Sequence, residues 1–378
     1  MAIGLRTSET AFQRDLRLSQ EAVRRGVVRG TQQRANAHWH VWLKFCTTER
    51  IDPELRDVAD PIPYLQVFAT RYRRRLGPTG QPVRSSTVSD AVRSVGQALA
   101  SLGQADPRKD SSGALDFRLT RQFRSYTRED PPPHRVKPIP ISLVRHVAVT
   151  SENSNAKDQA VADMIILLFF FILRPGEYTG TSNDDTPFRL TDVQLFLGER
   201  NLDLTTAPAA DIAAATGVAL TFTTQKNGVR GEVVHHGKSG HPLLCPVKAA
   251  ARRVLHLRSY MAHPHTILAS YYEGPRRRLV QASDITSALK TAAMLHGAHY
   301  GYSAADISAR SLRAGGAMAL FNSDVDSDTI CLIGRWQSDA MLRYLHLQAQ
   351  PVMQGFARRM LRGGDYAFHP TQDLVPQR

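Results

Sequence analysis

A proline-rich segment constrains the architecture of this chain more than any other feature. Residues Thr127 to Pro140 read TREDPPPHRVKPIP and contain five prolines. Proline fixes φ and has no backbone N–H, so we expect neither a helix nor a central strand here. The chain has 378 residues, which is long for one domain. The sequence therefore predicts two domains, residues 1–126 and 141–378, joined by a linker over residues 127–140.

The part before the linker carries apolar residues at helical spacing. One such set is Ala35, Trp39, Trp42 and Cys46. A second set, which Ser85 or Ser86 would cap, is Val88, Val92, Val95, Leu99 and Leu102. This spacing of three and four residues is typical of amphipathic helices that pack on a core. We therefore expect an all-helical N-terminal domain.

The part after the linker has a mixed pattern. The apolar run from Met164 to Leu173 is about half of the roughly 20 residues that cross a bilayer, so it predicts a buried core helix. Strands are expected at 219–224 (ALTFTT) and 231–236 (GEVVHH), joined by a turn at Asn227-Gly228. Helices are expected after Ser142, which would cap the first of them, and over 158–173. Further helices are expected from Pro246, over 312–321, near Thr329 and as a pair after Ser338. The predicted fold class is mostly α with a small β-sheet.

Net charge points to a polyanionic partner. The chain has 48 Lys and Arg residues against 34 Asp and Glu residues, a net charge of +14. Nucleic acid is the expected ligand for such a chain, although an ordinary basic protein fits the same number. Arg71 to Arg75 read RYRRR, which fits a phosphate-facing DNA-binding patch (Arg71, Arg73, Arg74, Arg75), a nuclear-import signal or a solvated helix end.

Several other classes are excluded at this stage. Cys46, Cys245 and Cys331 are too far apart for a disulfide framework or a CxxC metal site, and the residues after Met1 form no apolar signal segment, so we expect an intracellular protein. The HGKS at 236–239 lacks the context of a nucleotide-binding loop. The spacing of Asp324, Asp326 and Asp328 suggests helix capping rather than calcium binding. No metal and no nucleotide cofactor are expected.

A set of basic residues and one tyrosine recurs through the C-terminal part. They are Arg174 and Glu177 in ILRPGEYTG, Lys226 in TTQKNG, Arg310 and Arg313 in SARSLRAGGAMAL, and Arg335, Trp336 and Tyr344 in IGRWQSDAMLRYLH. Each has an ordinary interpretation when taken alone, such as a helix-end ion pair, a solvated turn lysine or a core tyrosine.

In their order and spacing, however, these blocks resemble the tyrosine recombinase, or phage integrase, family. The resemblance covers nearly the whole chain, with the N-terminal region similar to the SAM-like core-binding domain of that family. SLRAGGA together with GRW is similar to eukaryotic mobile-element recombinases of the Crypton and DIRS kind. The resemblance implies double-stranded DNA as partner, a homotetramer that holds two duplexes, and a location in the nucleus.

The resemblance also implies a role for each residue. Tyr344 would attack the scissile phosphate and form a 3′-phosphotyrosyl bond. Arg174 and Arg313 would bind the non-bridging oxygens, with Glu177 in support of Arg174, and Lys226 would protonate the leaving 5′ oxygen. Neither a metal nor another cofactor is implied, because guanidinium groups supply the positive charge.

Two departures from the family pattern leave the activity open. Arg310 stands where the family usually has a histidine; because arginine stays protonated, it could bind phosphate but could not accept the tyrosine proton. Arg335 stands at the second histidine-type position. Trp336 would replace the second histidine by donating its indole N–H to phosphate. The chain is then a variant that still cleaves DNA, a descendant that only binds DNA or, less favoured, a basic helical scaffold protein. Apolar residues at Val352, Phe356 and Met360 predict a tail helix that docks on a neighbouring protomer or on its own domain.

Overall fold

A computed structural model describes residues 10–27, 29–75, 82–132, 137–180, 186–223 and 231–336. The chain separates into two compact units, and the division lies between residues 134 and 135. The first unit is built from helices, and the second from helices and small antiparallel sheets. The predicted fold class, mostly α with a small β-sheet, is confirmed.

The N-terminal unit packs its helices around aromatic and branched side chains. Its helices are α1 (Ala11–Arg25), α2 (Arg29–Glu49), α3 (Ile62–Arg73), α4 (Ser85–Ser101) and α5 (Phe117–Glu129). Trp42 of α2 is fully buried, donates its indole N–H to the Pro53 carbonyl at 2.9 Å and meets Phe68 edge-on. Of the predicted apolar set on α4, Leu102 is 57% exposed, because the helix ends before it.

The serine caps predicted for two helices are wrong. Arg84 occupies the N-cap position of α4, and Ser85 is already helical. Its backbone N–H and its hydroxyl donate to Asp130 at 2.9 and 2.6 Å, so a partner distant in sequence takes the hydroxyl. Ser142 likewise lies inside a helix that follows Pro140, and its buried hydroxyl has no hydrogen-bond partner among the described residues.

The predicted linker begins too early. Residues 127–129 are the last residues of α5, where the Thr127 hydroxyl donates to the Phe123 carbonyl at 2.9 Å. Asp130 is extended, with φ −62° and ψ 136°, because it precedes Pro131. Helix therefore continues up to the first residue that a proline restricts.

In the C-terminal unit, helices surround a buried central one. They are α6 (Ile141–Thr150), α7 (Ala156–Phe170), α8 (Ala209–Ala214), α9 (Pro246–Ser259), α10 (Ala282–His296), α11 (Arg310–Asn322) and α12 (Ser327–Gly334). Helix α7 is the predicted core helix, and all of its residues from Ala160 to Phe169 are buried. It is capped by Asn155 and ends at Phe170, shorter than predicted, because the chain turns at Ile172. None of the helices in the described ranges is both long and apolar enough to cross a membrane.

The strands of this unit form two antiparallel sheets. They are β1 (Val193–Leu197), β2 (Arg200–Leu202), β3 (Gly217–Phe222), β4 (Glu232–Gly237), β5 (Ser270–Glu273) and β6 (Arg276–Leu279). The larger sheet has the order β2-β1-β3-β4, and β5 pairs with β6. The predicted hairpin is β3–β4, with Leu220 opposite Val234, while its predicted turn lies outside the described residues. The other strands were not predicted.

Candidate functional site

The site begins where α7 ends. Ile172 follows the helix in the left-handed region, at φ 51°, which is costly for a β-branched residue. Its carbonyl accepts hydrogen bonds from the guanidinium groups of Arg313 and Arg335. The turn thus directs a backbone acceptor at two arginines and delivers Arg174 two residues later.

Glu177 organises the arginine that follows this turn. Arg174 to Glu177 form a tight turn in which the Glu177 carboxylate accepts the Arg174 backbone N–H at 2.7 Å and its Nη1 at 2.9 Å. Arg174 Nη2 also donates to the Arg335 carbonyl at 3.0 Å. The Arg174 side chain remains 28% exposed, so its orientation is fixed while part of it faces solvent.

Two glycines of the SLRAGGA block set the position of Arg313. A Cβ at Gly316 would lie 2.2 Å from the Phe169 carbonyl oxygen, and one at Gly315 would lie 2.4 Å from that of Ile139. Helix α11 therefore approaches these backbones more closely than alanine allows. Arg313 is 3% exposed, donates Nη2 to the Gly334 carbonyl at 2.5 Å, and lies 4.1 Å from the centre of the Trp336 ring.

Arg335 points into the protein rather than towards solvent. It ends α12 in the left-handed conformation, at φ 57°, and its side chain is 1% exposed. Nη2 donates to Glu177 Oε2 at 3.2 Å, and the guanidinium lies 3.8 Å from the centre of the Phe222 ring. Burial lowers the pKa of Arg335 to about 10, with repulsion from Arg174 adding to this and attraction to Glu177 opposing it. Arg335 remains charged at neutral pH, and its hydrogen bonds to Glu177 and to the Ile172 carbonyl link the turn after α7 to the end of α12.

Arg310 has the opposite environment to Arg313, one turn later on the same helix. It is the first residue of α11, its side chain is exposed, and its backbone N–H donates to the Ser308 hydroxyl at 3.3 Å. The structure therefore brings Arg174, Glu177, Arg313, Arg335 and Trp336 into one cluster and leaves Arg310 at the surface. Lys226, Tyr344 and the predicted tail helix lie outside the described residues.

The segment that enters the C-terminal unit is attached beside this cluster. The Lys137 side chain pairs with Asp306 at 3.1 Å, and the Tyr302 hydroxyl donates to the Pro138 carbonyl at 2.7 Å. The Ile139 N–H donates to the Ser311 carbonyl at 3.1 Å, on the turn of α11 that carries Arg313. These contacts fix the start of α6 to the connection between α10 and α11.

The RYRRR segment of the N-terminal unit does not act as one patch. Arg73 is half-buried, pairs with Asp130 and donates to the Val83 carbonyl at 2.6 Å. Arg71 is exposed but pairs with Glu49, while Arg74 and Arg75 are exposed at the helix end. Arg73 therefore has a structural role, Arg71 is exposed but ion-paired, and Arg74 and Arg75 are exposed at the surface.

Sequence reasoning missed residues whose contribution depends on the backbone. Ile172 contributes its carbonyl, and no pattern marks an isoleucine for the left-handed region. Phe222 supplies the ring against which Arg335 packs. The paired glycines in the interior of a helix were a usable signal, because glycine there usually marks a close approach.

Comparisons with known proteins establish the fold. No protein-family model matches this chain, and no curated protein matches it. A solved structure of the Tn1549 transposon integrase with transposon right end DNA is 14% identical, covers 93% of this chain and 99% of that chain, and has a TM-score of 0.51. The same integrase with circular intermediate DNA gives 12% identity, coverages of 79% and 84% and a TM-score of 0.43. The XerA recombinase is 14% identical, covers 88% of this chain and 100% of that chain, and has a TM-score of 0.35. The chain has the integrase fold.

Within the integrase fold of this chain, the cluster has the chemistry of an anion site. Arg174 and Arg313 come from elements far apart in sequence and are held by carbonyl and carboxylate oxygens behind them. A guanidinium is a planar fork of N–H donors that can bind two oxygens of a phosphate, and one that is fixed in advance loses little side-chain freedom on binding. Trp336 packs against one of the two groups and further restricts it.

Proposed function

We propose that this protein is a tyrosine recombinase that cleaves and rejoins double-stranded DNA at specific sites. The observation that carries the proposal is the convergence of Arg174 and Arg313 on one locked cluster within the integrase fold. The net charge of +14 agrees with a DNA ligand, because contacts to phosphate dominate the affinity of such proteins.

In the proposed reaction the Tyr344 oxygen attacks the scissile phosphorus. A bond forms between that oxygen and phosphorus, the bond to the 5′ oxygen breaks, and Lys226 donates the proton that the leaving oxygen takes up. Arg174 and Arg313 stabilise the charge that develops on the non-bridging oxygens. Loss of one such group costs about 2.7–4 kcal/mol where oxyanion donors have been removed. The reverse attack by a 5′-hydroxyl rejoins the strand without a nucleotide cofactor.

The two histidine-type positions have different roles in this proposal. Arg310, exposed on the first turn of α11, contacts a phosphate near the scissile one. Arg335 donates to Glu177, the carboxylate that also holds Arg174, so in this proposal it positions Arg174. Trp336 supports Arg313 through its ring. The proton of Tyr344 then leaves to water or to a DNA oxygen, since neither arginine accepts it.

A second candidate is a descendant that binds DNA without cleaving it. The observation in its favour is that arginine occupies both positions where a proton acceptor is usual. Buried Arg335 supports structure and offers no replacement for such an acceptor.

A covalent-adduct assay separates the two candidates. The purified protein is mixed with labelled supercoiled DNA that includes the region around its own gene, quenched with detergent and examined for protein-linked DNA. We expect an adduct with the parent and with Tyr366→Phe, a control tyrosine in the same C-terminal segment, and none with Tyr344→Phe. Salt-sensitive binding without any adduct would favour the binding-only descendant, and absence of binding would overturn both.

The proposed function also implies an assembly and a location in the cell. We propose a homotetramer on two duplexes, which light scattering of the protein–DNA complex tests directly. The likeness to Crypton and DIRS elements and the nuclear location stay predictions from SLRAGGA and GRW. A fluorescent fusion with Arg74 and Arg75 replaced by Ala tests whether RYRRR directs nuclear import.

A further inference from the structure

Two histidines from different helices meet at the surface of the C-terminal unit. His146 lies on α6, and His296 is the last residue of α10. His146 Nδ1 and His296 Nε2 are 3.0 Å apart, the ring centroids are 4.5 Å apart, and the rings are inclined by 63°. Neither residue belongs to the arginine cluster.

The simplest interaction between these nitrogens is a hydrogen bond, in which one ring donates its N–H to the other. In a straight hydrogen bond, however, both rings extend away from each other along the line that joins the nitrogens. Centroids only 4.5 Å apart require rings that are inclined to that line. Rings inclined to that line do not aim their nitrogen lone pairs straight at each other, so a third atom placed beside the line could bind both nitrogens.

A divalent transition ion fits that position. Zinc-like ions bind imidazole nitrogen at about 2.0–2.1 Å, and two such bonds to nitrogens 3.0 Å apart enclose an angle of about 94°. That angle is close to the right angle of square-planar and octahedral sites and far from the tetrahedral angle of structural zinc. Imidazole ligands in square-planar or tetragonal geometry are typical of Cu²⁺ and Ni²⁺.

The surroundings favour a cation. His296 ends α10, where the carbonyl groups of the last turn carry partial negative charge. His296 is exposed and His146 half-buried, so water can reach the ion and fill further coordination positions. The described ranges contain no group of three or more His, Cys, Asp or Glu side chains placed to hold a metal. The site proposed below has two ligands from the described residues, His146 and His296.

We propose that His146 and His296 form a surface site for a divalent first-row transition ion that prefers right-angle geometry. The ion would fasten α6 to the end of α10. The connection from α10 to α11 is already attached to the start of α6 through Lys137 and Tyr302. A bound ion would therefore add a second fastening to the shell around Arg313, and it does so whether or not the protein cleaves DNA.

The test uses the full chain, freed of metal with a chelator, and NiCl₂ as the probe. We expect calorimetry to detect a Ni²⁺ ion bound by the parent and at least about tenfold weaker binding in His146→Gln and in His296→Gln. His263→Gln is the matched control. The rings of His263 and His265 are also neighbours, with centroids 5.3 Å apart. His263 Nδ1, however, already accepts a hydrogen bond from the His265 backbone N–H. The control should bind Ni²⁺ like the parent.

Thermal stability and electron paramagnetic resonance provide two further tests of the site. Ni²⁺ should raise the melting temperature of the parent but not that of His296→Gln, an exposed position where glutamine should not disturb folding. With Cu²⁺, electron paramagnetic resonance should show two equatorial nitrogens in the parent and in His263→Gln, and one in His146→Gln and in His296→Gln. Equal Ni²⁺ binding by all four proteins, or none by the parent, would overturn the site and leave a proton-sharing pair. The DNA adduct assay is independent of either result.

Discussion

Two groups of arginines in this molecule, the RYRRR segment and the C-terminal cluster around Glu177, differ in where their side chains point. In the RYRRR segment, Arg74 and Arg75 are exposed at the end of α3, and Arg71 forms an ion pair with Glu49, which is also exposed. In the C-terminal cluster, Arg313 and Arg335 are buried and donate to backbone carbonyls and to Glu177.

The difference teaches that the direction of an arginine depends on the acceptors that the fold places behind it. Arg73 makes the point inside the first region, because Asp130 and the Val83 carbonyl draw it inward while its neighbours stay outside. Arg310 makes it in the second region, one turn from buried Arg313. A run of basic residues is therefore not by itself a binding surface.

The largest expected effect comes from removing the carboxylate of the buried cluster. Glu177→Gln leaves Arg335 buried without its acidic partner, and breaking such a pair costs about 3–5 kcal/mol. Urea unfolding should show this loss in the transition of the C-terminal unit. Glu49→Gln, which removes the partner of exposed Arg71, should cost about 1 kcal/mol or less. Similar losses in both variants would abolish the contrast between the two regions.

The next largest effect is expected where α11 packs closely against α7 and so positions Arg313. Gly316→Ala places a methyl group 2.2 Å from the Phe169 carbonyl oxygen. Overpacking costs about 1–3 kcal/mol and should exceed the roughly 1 kcal/mol that alanine gains in a helix. We expect a lower free energy of unfolding and, if the proposed function is right, less of the covalent DNA adduct.

Gly237→Ala is the control for this change, since a Cβ there meets nothing within 4 Å. It should unfold at the same urea concentration as the parent or a higher one. A stabilised Gly316→Ala protein would show that α11 can move away from α7.

The third effect is a pH dependence of the N-terminal unit. Burial would raise the pKa of Asp130, but hydrogen bonds from Ser85 and the Arg73 guanidinium outweigh it and lower that pKa. The unfolded chain, with an aspartate pKa of about 3.9, then binds the proton more readily than the folded one. Stability from Asp130 is present above about pH 4 and is lost as the pH falls through the lowered value.

Tryptophan fluorescence can isolate this unit. The chain has three tryptophans, and in a Trp336→Phe background only Trp39 and Trp42 remain. Between pH 5 and pH 3 the unfolding midpoint should fall less when Asp130→Asn is added. An unchanged pH dependence would mean that Asp130 titrates alike in both states.

The smallest effect on stability is expected at the exposed end of RYRRR. Arg74→Ala should change the free energy of unfolding by about 0.5 kcal/mol or less, whereas Arg73→Ala should cost clearly more. If Arg74 contacts phosphate, its loss should weaken DNA binding on all sequences and reduce the salt dependence of the affinity. Unchanged DNA affinity in Arg74→Ala and Arg75→Ala would remove the segment from the DNA interface.

Local patterns predicted part of this fold well. The apolar run after Met164 gave the buried helix α7, alternation gave β3 and β4, and Asp326 caps α12 by accepting the Thr329 N–H at 2.8 Å. Each depends on neighbours in sequence. The caps at Ser85 and Ser142 failed, since Asp130 takes the first hydroxyl and the second lies inside its helix. Strands β1, β2, β5 and β6 are short, and only their partners make them strands.

For the site, the order of blocks selected the residues but not their orientation. Arg174, Glu177, Arg313 and Trp336 were named together from the sequence, and the structure gathers them. Arg335 was named as the residue at the second histidine-type position, and its side chain points to Glu177 because the left-handed turn at the end of α12 directs it there.

By itself, the sequence determined the helical character of both units, the core helix, the central hairpin and the set of residues to examine, because periodicity and turn chemistry act over a few residues. Tertiary structure alone decided which arginines are buried, which carbonyl receives them and how closely α11 approaches α7. Burial and hydrogen-bond partners depend on groups brought together from distant parts of the chain, and Ile172, whose carbonyl holds two arginines at once, is the clearest case.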